Sequence, residues 1–194
     1  KGIGASKGSI YYGLQMQSMF IDWWHDPLEK EPFKHSGNLN TFLLRPSMIY
    51  GMSPNLNLMA STTLGIRSMN WSSKEKSIHH RTESSHSDFD NAHGNILGDT
   101  DILLRYLVKN AGHGEGLRFF IGGGLVVPSK SVLTSDPFFL NNKEEVKEHR
   151  HFSLSSGAYK YILEQQVFIK RETNPVFYGG FILYKNPISE SEYG

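Results

Sequence analysis

The densest chemistry in this chain lies in one polar stretch, HHRTESSHSDFDNAHG, at residues 79–94. His79, His80, His86, Asp88 and His93 supply imidazoles and a carboxylate, with Asp90 between them, and such donors suit zinc, copper or nickel. They form a candidate metal-ligating set. The spacing is irregular and contains no paired motif such as HExxH, and a stretch of this composition also serves as ordinary solvated surface. His149 and His151, after EEVKEH, would join the same rim if the long connections gather at one end of the fold.

A second feature is DWWHDPLEKEPF, which places Trp23, Trp24 and His25 just past an alternating segment. Indole rings there suit either a stacking platform for a ligand or a membrane–water interface, where Trp is enriched. A third is a set of cations and amides that fall on one side of alternating segments: Gln15, Gln17, Arg45, Arg67, Arg105, Arg118 and Lys160, with Asp101, Glu164 and Lys170 beside them. These residues would line a polar pore, or pair with one another across a plugged lumen.

Enzymatic readings find no support in the motifs. GHGEG lacks the Lys-Ser/Thr tail of a phosphate loop, and Gly122–Gly124 lies inside a strand pattern, where small residues permit curvature. The residues imply no cofactor and no enzyme activity.

The elements that must position these groups read as strands throughout. Period-two alternation runs through SIYYGLQMQSMF, TFLLRPSMIYG, LNLMASTTLGIR, TDILLRYLVK, LRFFIGGGLVVP, a long segment from about His151 to Lys170, and PVFYGGFILYK. That makes about seven strands, several near the roughly 9–11 residues a tilted strand needs to cross a bilayer. Pro46 is an awkward guest for a central strand.

Connections alternate in length. Short turns fall at 52–55, 110–116 and 172–174, and long ones at 21–40, 72–97 and 129–150. Consecutive antiparallel strands place every other connection at the same end, so one rim is trimmed and the other carries long loops. Outer-membrane barrels have this asymmetry, and Tyr11, Tyr12, Tyr50, Tyr106, Tyr178 and Tyr184 near strand ends or outer faces fit an aromatic girdle.

Composition bounds the rest. The 194 residues carry a net charge of +1 and no cysteine, which excludes disulfides and thiolate metal sites and leaves no concentrated basic face for nucleic acid. Mean hydropathy is −0.40, as alternating barrel strands also give once averaged. No segment is apolar enough for a membrane helix.

YGMSPNLNLMASTTL, then GDTDILLRYLVKN and LRFFIGGGLVVPS, resembles the outer-membrane barrel group labelled transporter or MetA-pathway phenol-degradation protein. The resemblance spans residues 9 to about 170. The group's Gly-Leu-Gly-Asp stands here as Asn95-Ile96-Leu97-Gly98-Asp99, and its Leu-Pro-Thr-Gly as Val127-Pro128-Ser129-Lys130. It implies a barrel in the outer membrane and transport of small molecules, with no catalytic residues.

The expectation is therefore an all-β, antiparallel up-and-down transmembrane barrel. Residues 1–194 form one β-barrel domain, a fragment lacking its signal peptide and C-terminal strands. Its partners are outer-membrane lipid and a small-molecule solute, not nucleic acid. The leading function is a porin-like passive channel. The alternatives are a non-channel barrel with ligand- or metal-binding loops, and a soluble lipocalin-like or β-sandwich binder whose apolar faces point inward.

Overall fold

The computed structural model describes residues 4–27, 31–77, 80, 82–85, 96–111, 115–132, 152–171 and 177–190. They form one antiparallel sheet that curls into a half-barrel. Its strands are β1 (Ile10–His25), β2 (His35–Gly51), β3 (Leu56–Trp71), the two-residue β4 (Glu83–Ser84), β5 (Leu97–Asn110), β6 (Gly116–Val127), β7 (Lys160–Lys170) and β8 (Phe177–Pro187). The seven long strands pair in the order β1-β2-β3-β5-β6-β7-β8, and β4 pairs with β3 beside that path. No helix occurs among the described residues.

The alternating segments became strands, with two corrections at their ends. β1 and β2 reach His25 and His35, so the long connection expected over 21–40 shrinks to residues 26–34. The segment expected as strand from His151 starts pairing only at Lys160. His151 lies outside the described residues. Residues 152–159 instead fold back over the sheet: Ser155 N–H donates to Ser131 O at 3.1 Å, and Leu154 N–H to Ser131 Oγ at 3.2 Å.

The turn at 52–55 is closed by backbone bonds from Met52 and Ser53 N–H to Leu56 O, at 2.9 and 3.1 Å. Ser53 Oγ also accepts from Asn55 and Leu56 N–H, so one side chain fixes the reversal. Pro46 pairs with Leu14 on β1, while the ladder to β3 skips from Leu44↔Leu64 to Ser47↔Ser61, where a missing N–H is tolerated.

Curvature shows in which strands meet across one face. Lys185 on β8 reaches Asp101 on β5 at 2.6 Å, although β6 and β7 lie between them. Three strand spacings of about 4.8 Å in a flat sheet would hold those backbones roughly 14 Å apart, so this face is concave. Gly124 lets the strands coil this closely, because a Cβ there would lie 2.1 Å from the Ile102 carbonyl oxygen.

The two faces differ in polarity. The convex side presents Ile102, Leu104 and Tyr106 of β5, Ile121 and Leu125 of β6, and Leu163 and Val167 of β7, all exposed. The concave side buries Arg105, Arg118, Glu164 and Gln166, together with a small apolar cluster of Leu103, Val126 and Ile162 against which Met59 packs. Ala5, near the chain start, is tied to the concave Asn57 by paired bonds of 2.8 and 3.1 Å.

The convex apolar run has limits. On β1–β3 it ends at Phe20, Phe42 and Ile66, and beyond these the same face shows Asp22, Asn40, Asn38, Ser68 and Asn70. Asn38 Oδ1 accepts from Asn40 and Asn70, each at 3.0 Å. These strands therefore continue past their own apolar belt.

Candidate functional site

All seven residues expected on the polar side share the concave face by register and contact, and the cations among them are engaged. Arg105 makes a two-pronged pair with Glu164, Nε and Nη2 each 2.6 Å from a carboxylate oxygen, and Gln166 Nε2 donates to the same carboxylate at 2.7 Å. Arg45 pairs with Asp101 and donates from Nε to Ser61 Oγ at 3.3 Å. Asp101 thus ties β2 to β8 through Arg45 and Lys185. Arg67 Nη1 donates to Ser153 O at 3.2 Å, Arg118 stacks over Phe177 at 5.1 Å, and Lys160 lies 3.9 Å from Asp99. Gln15 and Gln17 sit on β1, where the edge leaves both exposed.

Lys185 was missed as a concave residue. Its parity mates Phe177, Gly179, Phe181 and Leu183 gave no polar signal; only the register, which sets it opposite Ile162, shows it.

A second site lies where β1–β3 extend beyond the belt. The β1–β2 register sets His25 opposite His35 and Trp23 opposite Gly37, with Trp71 paired to Gly37 from β3. Gly37 is required there, since a Cβ would come within 2.9 Å of the Trp23 ring. The connection after β3 returns His80 to the same place, its N–H held by Ser77 Oγ at 3.1 Å.

The three imidazoles converge. His25 Nε2 lies 3.0 Å from His35 Nδ1 and 3.4 Å from His80 Nε2, and one ligand nitrogen from each ring falls within 4.8 Å of the others. Aromatic rings wrap them: Trp23 at 4.6 Å from His80, Trp71 stacked on His80 at 5.4 Å, and Phe33 at 4.8 Å from His35. Glu31, itself buried, faces His35 Nε2 at 3.3 Å and accepts from Ser77 Oγ at 3.1 Å. Burial holds the fully enclosed His35 below the ordinary imidazole pKa; Glu31 pulls against that shift and His25 adds to it.

Of the metal set expected from the loop, His80 belongs to this cluster, whereas His79, His86, Asp88 and His93 lie outside the described residues. His25 and His35 were not in that set. Trp23 and Trp24, expected beyond a strand end, lie within β1, with Trp23 in the concave cluster and Trp24 outside beneath Lys34 Nζ at 4.6 Å. Tyr11 faces the concave side, while Tyr12, Tyr50, Tyr106, Tyr178 and Tyr184 face outward.

No family model matches the chain, and neither does any curated protein or solved structure. The class is therefore set by the molecule itself: an open, curled antiparallel sheet that is apolar on its convex side and charged along the middle of its concave side, with Phe181 and Leu183 exposed on the concave side of β8.

Proposed function

We propose that this chain is part of an outer-membrane β-barrel whose lumen is largely filled, with its activity carried at the long-connection rim. The observation that carries this reading is the inverted polarity. A sheet in water hides its apolar face, whereas this one exposes Leu104, Ile121 and Leu163 and buries Arg105 and Glu164. The belt has a matching height: from first to last convex belt position, residues 42–50 and 161–169 run nine residues and 56–66 run eleven, within the roughly 9–11 a tilted strand needs. Tyrosines mark both margins, with Tyr12, Tyr50, Tyr106 and Tyr178 toward the short turns and Tyr161 and Tyr184 at the other end.

The concave side favours a filled lumen over a passage. Its arginines and lysines are committed to carboxylates, a carbonyl or a ring, and an apolar cluster sits among them. A porin-like passive channel is the second reading, favoured by the exposed Gln15 and Gln17 and the part-exposed Arg45 along β1 and β2. Transport, which the resemblance to the transporter group implies, belongs to that reading. In lipid, the outer edges of β1 and β8 must also be paired, because each bare backbone group costs several kcal/mol there.

The test is expression of the full natural reading frame in a Gram-negative host, followed by membrane fractionation, comparison of boiled and unboiled samples on a gel, and planar-bilayer recording. Outer-membrane location, a heat-dependent mobility shift and no steady conductance are expected. Stepwise conductance would replace the filled barrel with the channel. A soluble protein with no mobility shift would remove both.

A further inference from the structure

We propose that His25, His35 and His80 form a three-histidine site for a divalent transition-metal ion, of which Zn2+ is the type case. The site stands apart from the membrane reading, because its geometry is the same whatever surrounds the belt.

Proton placement is the first argument. The Asp26 carbonyl, 2.8 Å from His25 Nδ1, can only accept, so Nδ1 carries the proton and Nε2 presents its lone pair. Glu31, 3.3 Å from His35 Nε2, places negative charge beside that nitrogen and favours a proton there whenever Nδ1 binds a cation. Without a metal ion His35 Nδ1–H can donate to the His25 Nε2 lone pair at 3.0 Å, and His80 Nε2 lies 3.4 Å from the same atom. A divalent cation in that position takes the place of the bridging proton, which moves to His35 Nε2 beside Glu31, and binds both nitrogens.

Distance is the second. In a tetrahedral site with metal–nitrogen bonds of about 2.0–2.1 Å, ligand nitrogens lie roughly 3.3 Å apart. The two His25 distances bracket that value, and the remaining pair lies within 4.8 Å, so small ring rotations complete the set.

The outer contacts form the third. Metal-bound imidazoles donate their second N–H to a carboxylate or carbonyl, which fixes the tautomer and raises ligand basicity. His35 has the carboxylate and His25 the carbonyl. Trp23, Trp71 and Phe33 exclude water from the sides. Three imidazoles without thiolate favour zinc, copper or nickel, with a fourth position left for water or an incoming ligand. Such an ion would clasp the end of β1, the start of β2 and the connection after β3.

The experiment is titration of the untagged full chain, purified in detergent and stripped with chelator, with Zn2+ alone by calorimetry, and with Co2+ by visible absorption. One-to-one uptake in the micromolar range or tighter is expected, together with the intense bands of four-coordinate Co2+. H25Q and H35Q should each weaken Zn2+ at least about 100-fold, and E31Q about 10–100-fold, as loss of an outer carboxylate does. H86Q/H93Q should leave binding intact. The Co2+ spectrum of the unaltered chain needs no variant to fold. Absence of saturable binding, pale six-coordinate Co2+ spectra, or loss of binding in H86Q/H93Q but not in H25Q and H35Q would each overturn the proposal.

Discussion

Leu104 and Arg105 are neighbours in the chain and face opposite ways on β5: the leucine is 46% exposed and the arginine 6%. The same difference holds on β6 and β7. On the concave side charge is hidden and balanced, as in the Arg105–Glu164 pair. On the convex side apolar surface is shown, and it stops where Asn38, Asn40 and Asn70 take over. On the proposed barrel reading one rule accounts for both, with hydrocarbon outside the belt and a polar interior, and the exposed Phe181 and Leu183 on the concave side of β8 stand outside it.

The largest effect should come from breaking the hidden charge. R105A leaves Glu164 buried without its cation, and removal of one partner of a buried pair costs about 3–5 kcal/mol. The midpoint of urea unfolding in vesicles should fall accordingly, and R105M/E164M, which removes both charges, should regain most of the loss. If R105A is tolerated as well as the double variant, the concave side is wetter than its geometry indicates.

The convex side is tested by I102R, near the middle of the belt on β5. An arginine at the lipid midplane of a barrel strand costs about 2–4 kcal/mol, whereas a surface substitution in water usually stays within about 0.5 kcal/mol. N38R, beyond the belt, should have almost no effect in the same vesicles. Equal, small effects at both positions would mean that the convex face meets water, and the comparison between the faces would lose its physical basis.

The strands were legible because their alternation is strong wherever one face is apolar. Leu56 to Ile66 announces β3, and the parity of Arg45, Arg105, Arg118 and Lys160 puts them on one shared face, which the register makes the concave one. The ends were not legible, for a reason the belt supplies. Past Phe20 and Phe42 both faces are polar or mixed, so DWWH and HSGN lose the two-residue pattern and look like connection. The histidine cluster depends on that hidden extension, since only the His25↔His35 register brings the rings together. Likewise, no local pattern foretells that residues 152–159 lie against Ser131 and Arg67 rather than continuing β7, because the contacts that hold them are backbone and serine bonds.

The smallest effect sharpens the comparison within the concave side. Asp101 joins Arg45 and Lys185, but its carboxylate is 14% exposed and its partners 40% and 30%, so water screens this tie far more than it screens Arg105–Glu164. D101N should therefore cost only about 1 kcal/mol or less. Salt separates the two cases. At about 1 M the screening length falls to roughly 3 Å, so the difference between D101N and the unaltered chain should shrink toward zero, while the R105A deficit persists because its cause is a buried charge. Urea, being uncharged, leaves ionic strength to be varied independently in that measurement. A D101N deficit that survives high salt would instead make Asp101 a buried clasp of β2 to β8, and the curl of the sheet would then depend on it as much as on Gly124.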